Sequence, residues 1–408
     1  VDTAGQTDLI RELCSFPERG PGTDSERRAA NMLAGRLRGI GRRAEIEPFF
    51  AHPEYAIVHL IHAAMGVAGS IIATVQPAIG FTLVLIAAFS TYLDLNTRFY
   101  LVRSLLFRRV SQNVVSPGTR PDAPARLILM AHYDAARTGY IFSKASNRIR
   151  KLPERTRLTL GPFRLFFWLG LAPLLPILGA RMAGLDPTWL NALQAIPTIV
   201  LIVAGFLLID IALSDIVPGA YDNASGVAAV LSAADELTAN PPENLDVWVV
   251  LAGAEESFCE GSRAFVRSRR KELDRATTAF VNVDSVSFGE VAYEISQGPV
   301  VSLPHDAQLI ELCEALSAAG QSARPIRHPL LDDAMPARVR RMRAITLRTT
   351  DENGNLAPWY HTHEDVPERV DAEALTRASD FVVSLARLLD REAGRSTAPQ
   401  ASAERTPV

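Results

Sequence analysis

"DVWVVLAGAEESFCEGS", residues 246–262, joins a β-rich apolar run to two adjacent carboxylates, Glu255 and Glu256, and then to a Gly-Ser pair that opens a new segment. The run over 246–254 is short and rich in Val, the composition of a strand buried in a sheet. Charged residues that follow a strand commonly just face water. In an open α/β sheet, however, the carboxyl ends of the strands line the crevice where ligands bind. The reading of the whole chain therefore turns on whether other ligand-type side chains stand at other strand ends.

Bulk properties set the limits. The 408 residues suffice for one large or two ordinary domains, and 42 Lys and Arg against 45 Asp and Glu leave a net charge of −3. That balance gives no electrostatic case for nucleic acid. Cys14, Cys259 and Cys313 are an odd number without a CxxC pair, so neither a disulfide framework nor a cysteine zinc site is indicated. The usage is compatible with a reducing compartment, and the first ten residues lack the basic and apolar regions of a secretory leader.

A mean hydropathy of +0.09 is high for a soluble enzyme. Two regions account for it. Residues 55–93 contain no Lys, Arg, Asp or Glu, and their length suits two membrane helices turning around Gln76 and Pro77, since each crossing needs about 20 apolar residues. A second region runs through "FRLFFWLGLAPLLPILGA" (163–180), breaks near "RMAGLDPTW", and resumes over 192–213. Four spans are expected. His59 and His62 share a helical face near a span end, where an interfacial position is expected rather than a ligand role.

With these hairpins removed, an α/β alternation remains. A helix around "TDSERRAANMLAGRLRGIG" is capped by Thr23 or Asp24 and stopped by Gly41. Strands follow in "RRAEIEPF", "QNVVS" and "ARLILMAHYD", then a helix in "ASGVAAVLSAADELTA" and the strand before the two glutamates. A helix around "SRAFVRSRRKEL", strands in "TTAFVNVDSVS" and "EVAYEIS", a helix in "DAQLIELCEALSAAG", a strand near "AITLRT" and a closing helix complete the pattern. Such alternation predicts a mixed, mostly parallel sheet flanked by helices, interrupted by about four transmembrane helices. Residues 393–408 have the composition of a disordered tail.

The strand ends can then be compared. "LILMAHYDAA" ends an apolar strand with His132 and Asp134, two residues apart, so that the carboxylate can support one ring nitrogen while the other binds a metal. "VPGAYDNASGVAAV" puts Asp222 behind a Pro-Gly turn at a helix start, where an ordinary N-cap is the alternative. "AFVNVDSVS" ends in Asp284, and "APWYHTHEDVPERV" offers His361 and His363 in a polar loop. Two His, two Asp and a Glu-Glu pair thus converge on one sheet edge. Two zinc ions about 3.5–4 Å apart require a bridging carboxylate, terminal ligands on each ion and a base for the water between them.

These motifs, "AHYDA", "PGAYDNASGVAAVL", "GAEESFCEGSRAFV", "VNVDS" and "WYHTHED", resemble those of the M28 zinc peptidases, a family of co-catalytic dizinc aminopeptidases and glutamate carboxypeptidases. The resemblance covers most of the chain outside the two hairpins. It implies that Asp222 bridges two zinc ions, that His132 and Asp284 hold one, and that Glu256 and His361 hold the other. It also implies that Glu255 is the general base and that Asp134 orients His132. His361 is preferred to His363 as the His of the "YHT" pattern. The implied activity is hydrolysis of peptides, most simply as an aminopeptidase. The alternatives are a non-catalytic receptor or scaffold on a peptidase fold, and a glutaminyl-cyclase-like acyltransferase with one zinc.

The expected organisation is a catalytic domain in three parts (1–54, 98–162 and 214–392), transmembrane hairpins over 55–97 and 163–213, and the tail from residue 393. Basic residues crowd the flanks of the hairpins: Arg98, Arg103, Arg108 and Arg109 after the first, and Arg148, Arg150, Lys151, Arg155, Arg157 and Arg164 before the second. Only Arg181 lies in the turns. Basic flanks stay cytoplasmic and an even number of crossings keeps the catalytic parts on one side. The expectation is a multi-pass cell-membrane protein with a cytoplasmic active site, in contact with peptide substrate and lipid and not with nucleic acid. Nothing in the sequence defines its oligomeric state.

Overall fold

The computed structural model describes residues 3–143 and 161–397. Nine strands form one mixed sheet: β1 (Glu45–Ala51), β2 (Arg109–Ser116), β3 (Ala125–His132), β4 (Leu245–Ala252), β5 (Thr278–Val283), β6 (Glu290–Gln297), β7 (Leu303–Pro304), β8 (Ala323–His328) and β9 (Arg343–Thr350). The order is β1-β2-β4-β3-β5-β9-β6-β7, with β8 also on β6. The central strands β4, β3, β5 and β9 are parallel, while β1, β2 and β6 join antiparallel. The central strands are buried along nearly their whole length, which is why they read as near-continuous Val/Ile/Leu runs rather than as alternations.

Helices cover both faces. On one, the helices α1 (Thr3–Cys14) and α2 (Asp24–Gly39) and those over Ser225–Ala239, Ala307–Ala318 and Ala372–Thr397 bury apolar residues such as Ile10, Leu33, Val227, Leu309 and Phe381 against the sheet. Thr23 is the N-cap of α2, its Oγ1 accepting from Glu26 N. Three sequence expectations need correction. The helix after the glutamates covers only Glu260–Ser268 and stops before "RRKEL". The closing helix runs on through Ala393 to Thr397, so the tail is not irregular from residue 393, and the rest of it lies outside the described residues. Asp134 and the two glutamates lie beyond the ends of β3 and β4, so strand alternation does not govern where they point.

Among the described residues, four helices are long and apolar enough to cross a membrane: α3 (Tyr55–Ile72), α4 (Pro77–Leu95), α5 (Pro162–Met182) and α6 (Thr188–Leu213). They pack on each other as one bundle, with Leu201 of α6 seated over Gly66 and Gly170. Their outer faces expose Ile79, Phe89, Trp168, Ile196, Val203 and Phe206. Exposed apolar surface of this extent marks an interaction surface. The first hairpin leaves the sheet where Ala51 of β1 pairs with Arg109 of β2. The second leaves and returns through a bridge between Arg137 and Ile216, with Thr138 N donating to Asp215 O (2.9 Å) and Val217 N to Ala136 O (2.9 Å). The two ends of each insert are therefore neighbours, and the sheet closes around it.

His59 and His62 turn inward, into the bundle. Both are fully buried: His62 Nε2 lies 2.8 Å from Ser90 Oγ, and His59 Nε2 lies 3.7 Å from Asp94. Arg103, one of the basic flanks, is buried in a two-pronged ion pair with Asp94. Residues Arg148, Arg150, Lys151, Arg155 and Arg157 lie outside the described residues.

Candidate metal centre

Parallel strands end at the same edge, so the segments after β3, β4, β5 and β9 meet there. His132 closes β3, Glu255 and Glu256 follow β4, Asp284 follows β5, and His361 lies in the loop after β9. Asp222 precedes the helix Ser225–Ala239 in a non-helical turn (φ −116°, ψ 96°) behind Gly219, whose φ of +68° suits glycine. It is not an N-cap. Asn223 takes that part, its Oδ1 accepting from Gly226 N and Ser285 N at 2.9 Å each.

The Asp222 carboxylate sits between two imidazoles, Oδ1 at 3.2 Å from His132 Nε2 and Oδ2 at 2.9 Å from His361 Nε2. His132, Asp222 and Asp284 offer ligand atoms within 4.8 Å of one another, and so do Asp222, Glu256 and His361. Glu256 Oε1 is 3.6 Å from His361 Nε2 and is buried without a hydrogen-bond partner. Glu255 faces the same space, with Oε2 3.9 Å from His132 Nε2 and Oε1 accepting from the Cys259 thiol at 3.3 Å. His363 is apart from this group: its side chain is 60% exposed and its nearest acid is Asp215, 3.8 Å away.

Asp134 is placed differently from the simple His-carboxylate pairing. His132 Nδ1 is 3.3 Å from the Asp134 carbonyl and 3.6 Å from its Oδ1, while the two carboxylate oxygens accept the backbone N–H groups of Glu255 and Glu256 at 3.0 Å each. Asp134 thus ties the β3 end to the glutamate loop.

Electrostatics point to cations. Burial, reinforced by the charges of Asp222 and its neighbour Glu255, pushes the Glu256 carboxyl well above its usual range, and burial does the same to Glu255 against the opposing pull of His132. For Asp222, burial acts upward, but hydrogen bonds to His132 and His361 outweigh it and hold the group well below the usual carboxylate range. Burial would also depress His132, yet Glu255, Asp134 and Asp222 raise it well above its ordinary value. Both directions are the response of crowded buried acids to a need for positive charge. Four carboxylates, one of them Glu256 with its orphaned oxygen, and two imidazoles form a donor set that suits zinc, which takes His and carboxylate ligands.

Several supporting residues escaped the sequence reading. Glu26 is buried and accepts from Ala254 N and Ser111 Oγ through Oε1, holding the residue before the glutamates; the Thr23-x-x-Glu26 capping spacing was its signal. Asp365 accepts from Tyr221 N (2.6 Å) and Asp222 N (3.1 Å) and is part of the "WYHTHED" motif. Arg348, a charge buried within strand β9, pairs with Asp284 (3.0 Å), Glu294 (2.5 Å) and Asp332 (3.1 Å). Asp333, which burial pushes up to about 7, faces Glu255 and Cys259, and no motif pointed to it.

Comparison with known proteins agrees with this architecture. Residues 207–386 match the profile of Peptidase family M28, the part of the chain that carries Asp222, both glutamates, Asp284 and His361. Over that stretch the chain is similar to the M28 peptidases, the family its motifs resemble. His132 and Asp134 precede it. Aminopeptidase YwaD of Bacillus subtilis is 29% identical over 174 residues, 41% of this chain and 37% of that protein, so the matched stretch spans about a third of the relative's length. Among solved structures, the LapA aminopeptidase of Legionella pneumophila is similar with a TM-score of 0.52 at 13% identity, covering 96% of this chain and 72% of the other. A glutaminyl cyclase of Bacteroides thetaiotaomicron gives 0.52 at 16% identity (95% and 97% covered). A Zn-dependent exopeptidase of Parabacteroides distasonis gives 0.51 at 13% identity (94% and 97% covered). At these identities the structural likeness concerns the fold, a mixed α/β sheet of the zinc-exopeptidase kind.

Proposed function

We propose that the protein is a zinc-dependent metallopeptidase of the M28 type, an exopeptidase acting at free amino termini, tied to the membrane by two helical hairpins. The observation that carries this reading is the Asp222 carboxylate, with one oxygen facing His132 and the other facing His361 while Glu256 Oε1 lacks a partner. That is the arrangement expected of a carboxylate bridging two cations. In this reading His132 and Asp284 would hold one zinc, Glu256 and His361 would hold the other, and Asp222 would serve both.

Bound zinc would supply Lewis acidity toward a water and the scissile carbonyl. The remaining work falls to this chain's own groups. Glu255, which faces the same space and which the family resemblance leaves off the metals, takes the proton from the water and returns it to the leaving amine. Asp134 and Glu26 fix the loop that carries both glutamates through the backbone N–H groups of residues 254–256. Asp365 fixes the backbone on which Asp222 stands. The basic flanks outside the bundle, Arg98, Arg108 and Arg109 among them, support a cytoplasmic position for the catalytic part.

One observation favours a second reading. Arg348 already neutralises one oxygen of Asp284 at 3.0 Å, which suits a site with a single zinc on Asp222, Glu256 and His361 and an acyl transfer of the glutaminyl-cyclase type. Zinc content separates the two. Purified full-length protein should bind two zinc ions per chain and cleave free-amine but not blocked-amine peptides. Glu255→Gln should keep its zinc and lose about 10²–10⁴ in rate, whereas Glu256→Gln should lose zinc and activity together. One ion per chain with no peptide cleavage would overturn the peptidase reading.

A further inference from the structure

The loop over residues 253–259 has an unusual backbone: Ala254 (φ 52°), Phe258 (φ 73°) and Cys259 (φ 57°) all lie in the left-handed region without being glycine. Such residues persist where surrounding contacts over-determine them. On the catalytic side those contacts are Glu26 and Asp134. On the other side they come from the helical bundle and the segment that leaves it.

Arg103, fully buried just after α4, donates from Nε and Nη2 to the two oxygens of Asp94 at 2.8 and 2.7 Å, and from Nη1 to Ser257 O at 2.7 Å and Glu260 Oε1 at 3.2 Å. One guanidinium therefore binds the last turn of the first hairpin to the residue after Glu256. Next to it, Phe258 projects into an aromatic cage drawn from both hairpins. Its ring centroid is 4.9 Å from Tyr55 and 5.2 Å from His59 on α3, and 5.1 Å from Phe163 on α5, each in edge-to-face geometry. Edge-to-face packing fixes orientation as well as burial. The loop has no slack between these holds, since Glu255 and Glu256 lie directly between Ala254, tied to Glu26, and Ser257, tied to Arg103.

We infer that Arg103 and Phe258 are positioning residues through which the two hairpins hold the glutamate loop in register with the metal centre, making the bundle a structural part of that centre rather than only a tether. This rests on the reading of Glu256 as a zinc ligand. The chemistry of the holds explains why an apolar bundle carries a buried Asp94: it is the counter-charge that brings a fork-shaped cation to the Ser257 carbonyl, which Lys could not span in the same way.

The test uses full-length protein in lipid nanodiscs, with Arg103→Gln, Phe258→Ala and the milder Phe258→Leu. Leu201→Ala serves as a control that loosens the same bundle away from the loop. Deuterium uptake of residues 253–260 is measured on metal-free samples, and zinc affinity by competition with a chromophoric chelator. Arg103→Gln and Phe258→Ala are expected to raise uptake in the loop and to weaken one zinc equivalent by about 10- to 100-fold, with Phe258→Leu restoring most of the affinity. Leu201→Ala is expected to lower the melting temperature while leaving loop uptake and both affinities unchanged. The inference is overturned if the two loop variants exchange and bind zinc as the wild type does, or if Leu201→Ala weakens zinc equally. A wild-type protein that binds no zinc would instead overturn the site reading, and the reference sample shows this before any variant is compared.

Discussion

Asp134→Asn isolates the clamp between β3 and the glutamate loop. In the wild type each carboxylate oxygen accepts one buried N–H, from Glu255 and Glu256, at 3.0 Å. Asparagine keeps one acceptor and turns an NH₂ group toward the other N–H, so one buried amide loses its partner, at a cost of about 1–3 kcal/mol. Asp134→Ala would orphan both, at about 2–6 kcal/mol. For a domain of ordinary size, about 2–4 °C per kcal/mol translates the asparagine change into a fall of about 2–12 °C in melting temperature. Thermal unfolding of metal-free protein, followed by circular dichroism in the presence of chelator, reads this term without any contribution from lost zinc. Zinc titration should then show affinity weakened by about 10- to 100-fold, because both glutamates move with the loop. An Asp134→Asn protein that melts within about 1 °C of the wild type and binds zinc normally would refute the clamp.

Asp222→Ala should lower occupancy of both zinc positions, whereas Asp284→Ala should empty mainly one; metal analysis of the two variants decides this, and full zinc in Asp222→Ala would exclude the bridge. Glu294 is buried, and Arg348, His328 and His305 outweigh that burial and hold its carboxyl down at about 2, against an ordinary 4.5. A depressed carboxylate contributes stability that is complete above its unfolded value and lost as pH falls toward the folded one, here about 3 kcal/mol between about pH 4.5 and 2. Denaturant titrations of metal-free protein should therefore show Glu294→Gln losing less stability than the wild type over that window, and equal pH slopes would refute the assignment. A single-cysteine label placed after Thr397 should stay unreactive to an impermeant reagent outside intact cells; labelling there would reverse the proposed orientation.

The sequence by itself carried seven of the nine described strands, most of the long helices and the four apolar spans, because each has a local signature; it did not show β7, β8 or α1. Apolar β-branched runs of about five to eight residues, amphipathic spacing with a capping Thr23, and long uncharged stretches need no distant partner to be read. It also carried the residues that surround the centre, since parallel strands must deliver their carboxyl ends to one edge and His132, Glu255, Glu256 and Asp284 each stand at such an end. What only the tertiary structure decided is how those residues share work. Because β3 stops at His132, the Asp134 carboxylate reaches two backbone amides 121 and 122 residues away while its Oδ1 stays 3.6 Å from His132 Nδ1. His361 and His363 are equivalent in composition and differ only in that one is turned onto Asp222 and the other onto the surface. Arg103 read only as one of the basic flanks because charge in a sequence carries no sign of burial. Its partners Asp94 and Ser257 come from a helix end and a catalytic loop that meet only when the bundle docks against the sheet. Local propensity acts over a few residues, whereas hydrogen bonds and ion pairs in a low-dielectric interior are set by which distant segments come within about 3 Å, a property of the packed chain as a whole.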